Sequence, residues 1–232
     1  MKLEICANSY QSTLNAQNAG ADRIELCSEL SVGGITPSYG LLKKVAEGIT
    51  IPVNVLIRPR SGDFCYTDNE FELMKENVKI CKELGFNGIV SGVLHKDNSI
   101  DIERTKELIE LSKPLSFTFH RAFDCVTNPK ESLQILIDLR VDRILTSGLK
   151  EKAINGIDLL ARLQEIAQEK LTILAGSGIN SENAKLFKKA GLREIHASAS
   201  TIIQQENSMF SLPQTVSDIN KIKTILKVIK NA

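Results

Sequence analysis

Eight strand-like segments alternate with helix-like segments along this chain, at a spacing on the order of 30 residues, long enough for each return to be a crossover helix. The strands read Lys2 to Cys6, Asp22 to Cys27, Pro52 to Arg58, Gly88 to Leu94, Ser116 to His120, Arg143 to Ser147, Leu171 to Ala175 and Glu194 to Ser198. Between them, helices are expected over Ser12 to Ala19, Pro37 to Glu47, Asp68 to Leu84, Asp101 to Leu111, Pro129 to Leu139 and Ile157 to Gln168, then from Ser181 to Gly191. Crossover helices impose parallel pairing. Eight such units predict an α/β chain folded as a (β/α)8 barrel, the TIM-barrel architecture, rather than a doubly wound open sheet, which usually has fewer strands.

The 232 residues, 42% hydrophobic and 25% charged, suit one globular domain spanning 1–232. A polar stretch, Thr201 to Ser217, interrupts the pattern; it reads either as a cover over the barrel mouth or as a plain connection. An amphipathic last helix, Asp218 to Lys230, follows. The net charge of +1, with no dense basic stripe, argues against nucleic acid and anionic membranes as partners. No apolar run reaches the roughly 20 residues of a membrane span, and Met1 to Ile5 reads as a strand rather than a signal peptide, so a cytoplasmic location is expected. Cys6, Cys27, Cys65, Cys81 and Cys125 form no C-x-x-C pair and are expected to be reduced thiols.

Barrel sites are built at the C-terminal ends of the strands. Period-two alternation puts Glu4 with Cys6, and Glu25 with Cys27, on the inward faces of the first two strands, leaving Leu3, Ile5, Ile24 and Leu26 towards the helices. Arg58 ends the third strand, with Arg60 just beyond; His120 ends the fifth, followed by Arg121 and Asp124; the eighth supplies His196 and Ser198. A barrel interior is normally apolar, so these groups need partners or a task. The bland reading pairs Glu4 and Glu25 with Arg58 and Arg60. The thiols of Cys6 and Cys27 are either small buried hydrophobes or ligands for a soft ion such as Cu(I).

Gly176, Ser177 and Gly178 form a glycine-rich turn after the seventh strand, and Ser181 opening a helix just beyond would add a positive helix end for an anion. With Arg58 and Arg60 on the rim, the alternative function is an enzyme performing acid/base chemistry on a small anionic or phosphorylated substrate. In that reading Glu25 or His120 is the base, and Arg121 and Asp124 belong to the catalytic group. No lysine ends a strand, which disfavours Schiff-base chemistry.

Five motifs carry a resemblance: D-R-I-E-L-C at Asp22 to Cys27, G-G-I-T-P-S at Gly33 to Ser38, I-R-P-R-S-G-D-F-C-Y at Ile57 to Tyr66, T-F-H-R-A-F-D at Thr118 to Asp124 and R-I-L-T-S-G at Arg143 to Gly148. Together they resemble the CutC family of copper homeostasis proteins. The resemblance implies a TIM barrel and a cytosolic role in handling Cu(I), with Cys6 and Cys27 as suggested ligands. It also implies assembly into homodimers or larger homo-oligomers. Ser61 stands where the family pattern has glycine.

Overall fold

The computed structural model describes residues 1–203 and 214–230. Eight parallel strands close on themselves in sequence order: β1 (Lys2–Ala7), β2 (Arg23–Leu26), β3 (Val53–Leu56), β4 (Gly88–Ser91), β5 (Ser116–Phe119), β6 (Arg143–Thr146), β7 (Thr172–Gly176) and β8 (Glu194–Ala197). β8 pairs back onto β1, with Glu4 opposite His196. This is the (β/α)8 barrel that the alternation predicts. The expected strands differ from the observed ones by one to three residues at their ends.

The outer layer is α1 (Tyr10–Ala19), α2 (Tyr39–Gly48), α3 (Asp68–Glu83), α4 (Ile102–Ser112), α5 (Pro129–Asp138), α6 (Ile157–Ala167), α7 (Ala184–Lys189) and α8 (Ile219–Lys230). Local chemistry fixes most of their starts. Ser9, Ser38, Asp101 and Asn128 each accept a backbone N–H of the first turn, Thr67 and Glu70 form a reciprocal capping box, and Pro129 occupies the first turn of α5. The main core lies between sheet and helices, where Leu3, Ile5, Ile24, Leu26, Ile89, Phe117 and Phe119 are fully buried. Outward strand positions are thus apolar, and the chemistry-bearing residues point inward.

Two expectations are corrected here. Ser181 does not open a helix: α7 begins at Ala184, because Asn180 and Asn183 use their amide oxygens to organise an intervening turn. The stretch 201–217 is not wholly a polar connection either. Its ends pair as an antiparallel ribbon, β9 (Ser200–Ile203) with β10 (Gln214–Ser217), held to the first βα unit by Asn8 and Asn15 donating to the carbonyls of Thr215 and Ser217. The part that would have to cover the mouth, 204–213, lies outside the described residues.

Candidate functional site at the barrel mouth

The lower barrel interior is filled by charge. Glu4 stands opposite Arg23 in the β1–β2 register and forms an ion pair with it; the same guanidinium reaches Glu194 at 2.6 Å, and Arg143 reaches Glu194 at 3.1 Å. His196 Nδ1 lies 2.8 Å from the other Glu4 oxygen. Burial alone would push the Glu4 carboxyl up, but the charges of Arg23 and His196 outweigh it and hold the pKa at about 2. Burial would likewise neutralise His196, and Glu25 and Glu4 outweigh it and raise its pKa.

This network corrects the expected pairing of Glu4 and Glu25 with Arg58 and Arg60. The cation sits two residues before Glu25 on the same strand, on the same face. Arg60 lies outside the mouth, tied to Glu70 at 2.6 Å and Asp63 at 2.9 Å. The alternation that puts Glu25 and His196 on the inward faces puts Arg23, Arg143 and Glu194 there too. They escape a reading confined to the strands' C-terminal ends.

Above this layer stand the thiols. Cys6 Sγ is 3.6 Å from Cys27 Sγ and 4.0 Å from Glu25 Oε1. Their hydrogen bond, burial and the nearby Glu25 and Glu4 carboxylates all favour the protonated form of Cys6, whose pKa rises well above the ordinary thiol value. Glu25 has its second oxygen buried without a partner among the described residues. Burial raises its carboxyl to about 7 despite the opposing charge of His196; Glu4 adds to the rise and Arg23 opposes it. Cys6, Glu25 and His196 each offer one ligand atom within 4.8 Å of the others.

A cavity of about 440 Å³ opens over these groups. Of the residues singled out from the sequence, Cys6, Glu25, Arg58, His120, Arg121, Asp124, Ser177, Gly178, His196 and Ser198 line it. Glu4 lies beneath, Cys27 is buried behind Cys6 against Leu56 and Val90, Gly176 is the last residue of β7, and Arg60 is outside. Ser177 turns its hydroxyl away to the Glu151 carbonyl at 2.6 Å. With α7 reduced to six residues starting later, the glycine turn lacks the helix end expected to complete an anion cradle.

Asp124 organises a loop. One of its oxygens accepts from Thr146 and from the backbone N–H groups of Ser147 and Leu149, and the other from Arg121 Nε at 2.8 Å. Arg58 spends three N–H groups on the carbonyls of Val32, Gly34 and Gly62, at 2.8 to 3.0 Å, joining two mouth loops. His120 Nδ1 accepts the backbone N–H of Ala122 at 3.3 Å, which places the ring proton on Nε2. That Nε2 is buried with no partner among the described residues. Burial, followed by the charge of Arg58, brings the His120 pKa down to about 3, so the ring is neutral.

Residues 1–201 match the model of the CutC family. This chain belongs to that family. Among CutC relatives, the family protein CutC of Salmonella agona (strain SL483) is 48% identical over 202 residues, covering 87% of this chain and 81% of its own length. That of Citrobacter koseri is 48% identical over 198 residues, covering 85% and 79%. A solved structure from Streptococcus agalactiae, provisionally named a copper homeostasis protein CutC, aligns at TM-score 0.81 and 33% identity over 85% of this chain and 98% of that one. Thiamine phosphate pyrophosphorylase from Pyrococcus furiosus aligns at TM-score 0.64 over 99% of this chain and 96% of its own, at 15% identity, and shares the fold alone.

Proposed function

We propose that this CutC-family chain takes up Cu(I) at the mouth of β1 and β2 through Cys6 and Cys27 and serves copper homeostasis. The observation that carries the reading is the 3.6 Å separation of the two sulfurs on neighbouring strands. Thiolates are soft donors and favour Cu(I) over hard cations. Two thiolates with one Cu(I) leave a single negative charge, and the neighbouring His196, whose cationic form is favoured, and Arg23 offset it. Copper is cargo in this reading, and Glu25 and His196 are positioned to assist its entry or release. The name of the Streptococcus agalactiae neighbour supports the same role. All five cysteines are free thiols, as a reducing cytoplasm would keep them, and self-association belongs to the same proposal.

The test is an anaerobic Cu(I) competition titration against a chromophoric chelator, run on the wild type, the Cys6→Ser/Cys27→Ser protein and Arg58→Ala. One tight equivalent per chain is expected in the wild type and in Arg58→Ala, and none in the double cysteine variant. Tight binding that survives loss of both thiols would sink the ligand assignment.

A further inference from the structure

The thiols use only the floor of the cavity. Higher up, two groups are built for a ligand of another kind. Arg58 is 5% exposed, and among the described residues no carboxylate pairs with it: its hydrogen bonds go to the neutral carbonyls of Val32, Gly34 and Gly62. A buried guanidinium normally has an anion to offset its desolvation. His120, 4% exposed, carries its proton on Nε2, where no acceptor among the described residues meets it. A buried donor left unpaired is costly, and a ligand acceptor would remove that cost. Both side chains pack against one ring: Arg58 Cζ is 4.9 Å from the centroid of Phe64, and the His120 ring centroid is 4.8 Å from it.

We infer that this cavity binds a small organic carboxylate, its oxygens accepting from Arg58 and from the Nε2–H of His120, and its apolar body lying against Leu56, Phe64, Leu145 and Ile179. All six residues line the cavity. Arg121 and His196 of the lining are paired with Asp124 and Glu4, so among the described residues the cation left without a carboxylate is Arg58; with the neutral His120 donor it balances a monoanion, which favours a carboxylate over a phosphate dianion. Arginine's planar fork matches a carboxylate in particular. At about 440 Å³ the cavity is the size of a small-molecule site rather than of a bare ion. Its donors are distinct from the proposed copper ligands: neither thiol is among them.

The experiment is calorimetric titration of the metal-free full-length chain with butyrate and benzoate, with butyramide and benzamide as neutral counterparts, and with inorganic phosphate. At least one carboxylate should saturate one site per chain and bind about tenfold or more tightly than its amide, the difference expected of a charge-assisted pair. Arg58→Lys, which keeps the charge and loses the fork, and His120→Phe, which keeps an aromatic ring and loses the donor, should each weaken it at least about fivefold. In the wild type, the Nε2–H proton resonance of His120 should move on addition of the bound carboxylate. Carboxylates that bind no better than their amides, phosphate that binds more tightly, or both variants binding like the wild type would overturn the inference. If Arg58→Lys fails to fold, His120→Phe and the resonance decide it.

Discussion

His196 Nδ1 on β8 lies 2.8 Å from Glu4 Oε1 on β1, so one hydrogen bond crosses the seam at which the barrel closes. The other Glu4 oxygen pairs with Arg23 on β2, and Arg23 reaches Glu194, so closure of the barrel and neutralisation of its charged interior are one event. The consequence is that the ionised Glu4 carboxyl contributes directly to stability.

Removing that charge should be costly. Glu4→Gln leaves Arg23 and His196 short of an anion in a buried layer and is expected to destabilise the fold by roughly 3–5 kcal/mol, measured by urea unfolding at neutral pH. The same group sets an acid limit. Its folded pKa of about 2 lies below the ordinary 4.5, so its contribution is full above pH 4.5 and disappears as pH falls towards 2. Wild-type unfolding free energy should therefore drop by a few kcal/mol across that window. An equal drop in Glu4→Gln would assign the acid sensitivity elsewhere.

The two site histidines should titrate in opposite senses. His120, with a folded pKa of about 3 against an ordinary 6.5, binds its proton only when the chain unfolds, so it makes stability fall as pH drops from 6.5 towards 3. His196, whose folded pKa is raised, contributes stability below pH 6.5 that is lost as pH rises through its folded value. An NMR titration of the Cε1–H resonances should find His120 unprotonated from pH 8 to pH 5 while His196 still carries its proton at pH 6.5. A protonation step for His120 between pH 5 and 7 would contradict the buried, neutral assignment.

Copper uptake should be proton-linked. The Cys6 thiol must lose a proton that its hydrogen bond with Cys27, its burial and its acidic neighbours all hold in place. Apparent Cu(I) affinity is accordingly expected to rise with pH by about tenfold per pH unit for each thiol proton released, hence by at least about tenfold per unit, read by competition titrations at pH 6, 7 and 8. A pH-independent affinity would mean that the Cys6 thiolate is not a ligand.

Much of the barrel is legible in the chain because period-two alternation assigns faces without knowledge of tertiary structure. Leu3 and Ile5 turn to the helices and Glu4 and Cys6 to the interior on that rule alone. The same rule applies to Arg23, Arg143 and Glu194, which lie at the opposite ends of their strands from the mouth. Their meeting depends on the stagger between strands of a closed barrel, and sequence spacing does not encode that stagger. Arg58 and Arg60 show the converse: two residues apart in sequence and alike in chemistry, they are separated by the loop, one buried at the cavity and one outside it. Ser181 is as good a helix start by composition as Asn183. The side chain of Asn180 shifts the start by bonding the backbone N–H groups of Glu182 and Asn183.

His120 owes its position partly to a missing methyl group. A Cβ built on Gly92 would stand 2.7 Å from His120 Nδ1, 2.9 Å from Cε1 and 3.1 Å from Phe119 Cζ. Both rings are buried and rigid, so neither can yield as a flexible side chain would. Gly92→Ala should cost about 1–3 kcal/mol through this overpacking and tilt the imidazole away from the Ala122 N–H. Gly40 is the control. It lies exposed in the first turn of α2 with nothing within 4 Å of its added Cβ, so Gly40→Ala should stabilise slightly, by up to about 0.5 kcal/mol, through helix propensity. Urea unfolding gives both signs, and the His120 ring resonances should shift in Gly92→Ala and stay in place in Gly40→Ala. If Gly92→Ala leaves both stability and those resonances unchanged, the ring is not held by close packing, and the fixed Nε2–H donor at the cavity goes with it.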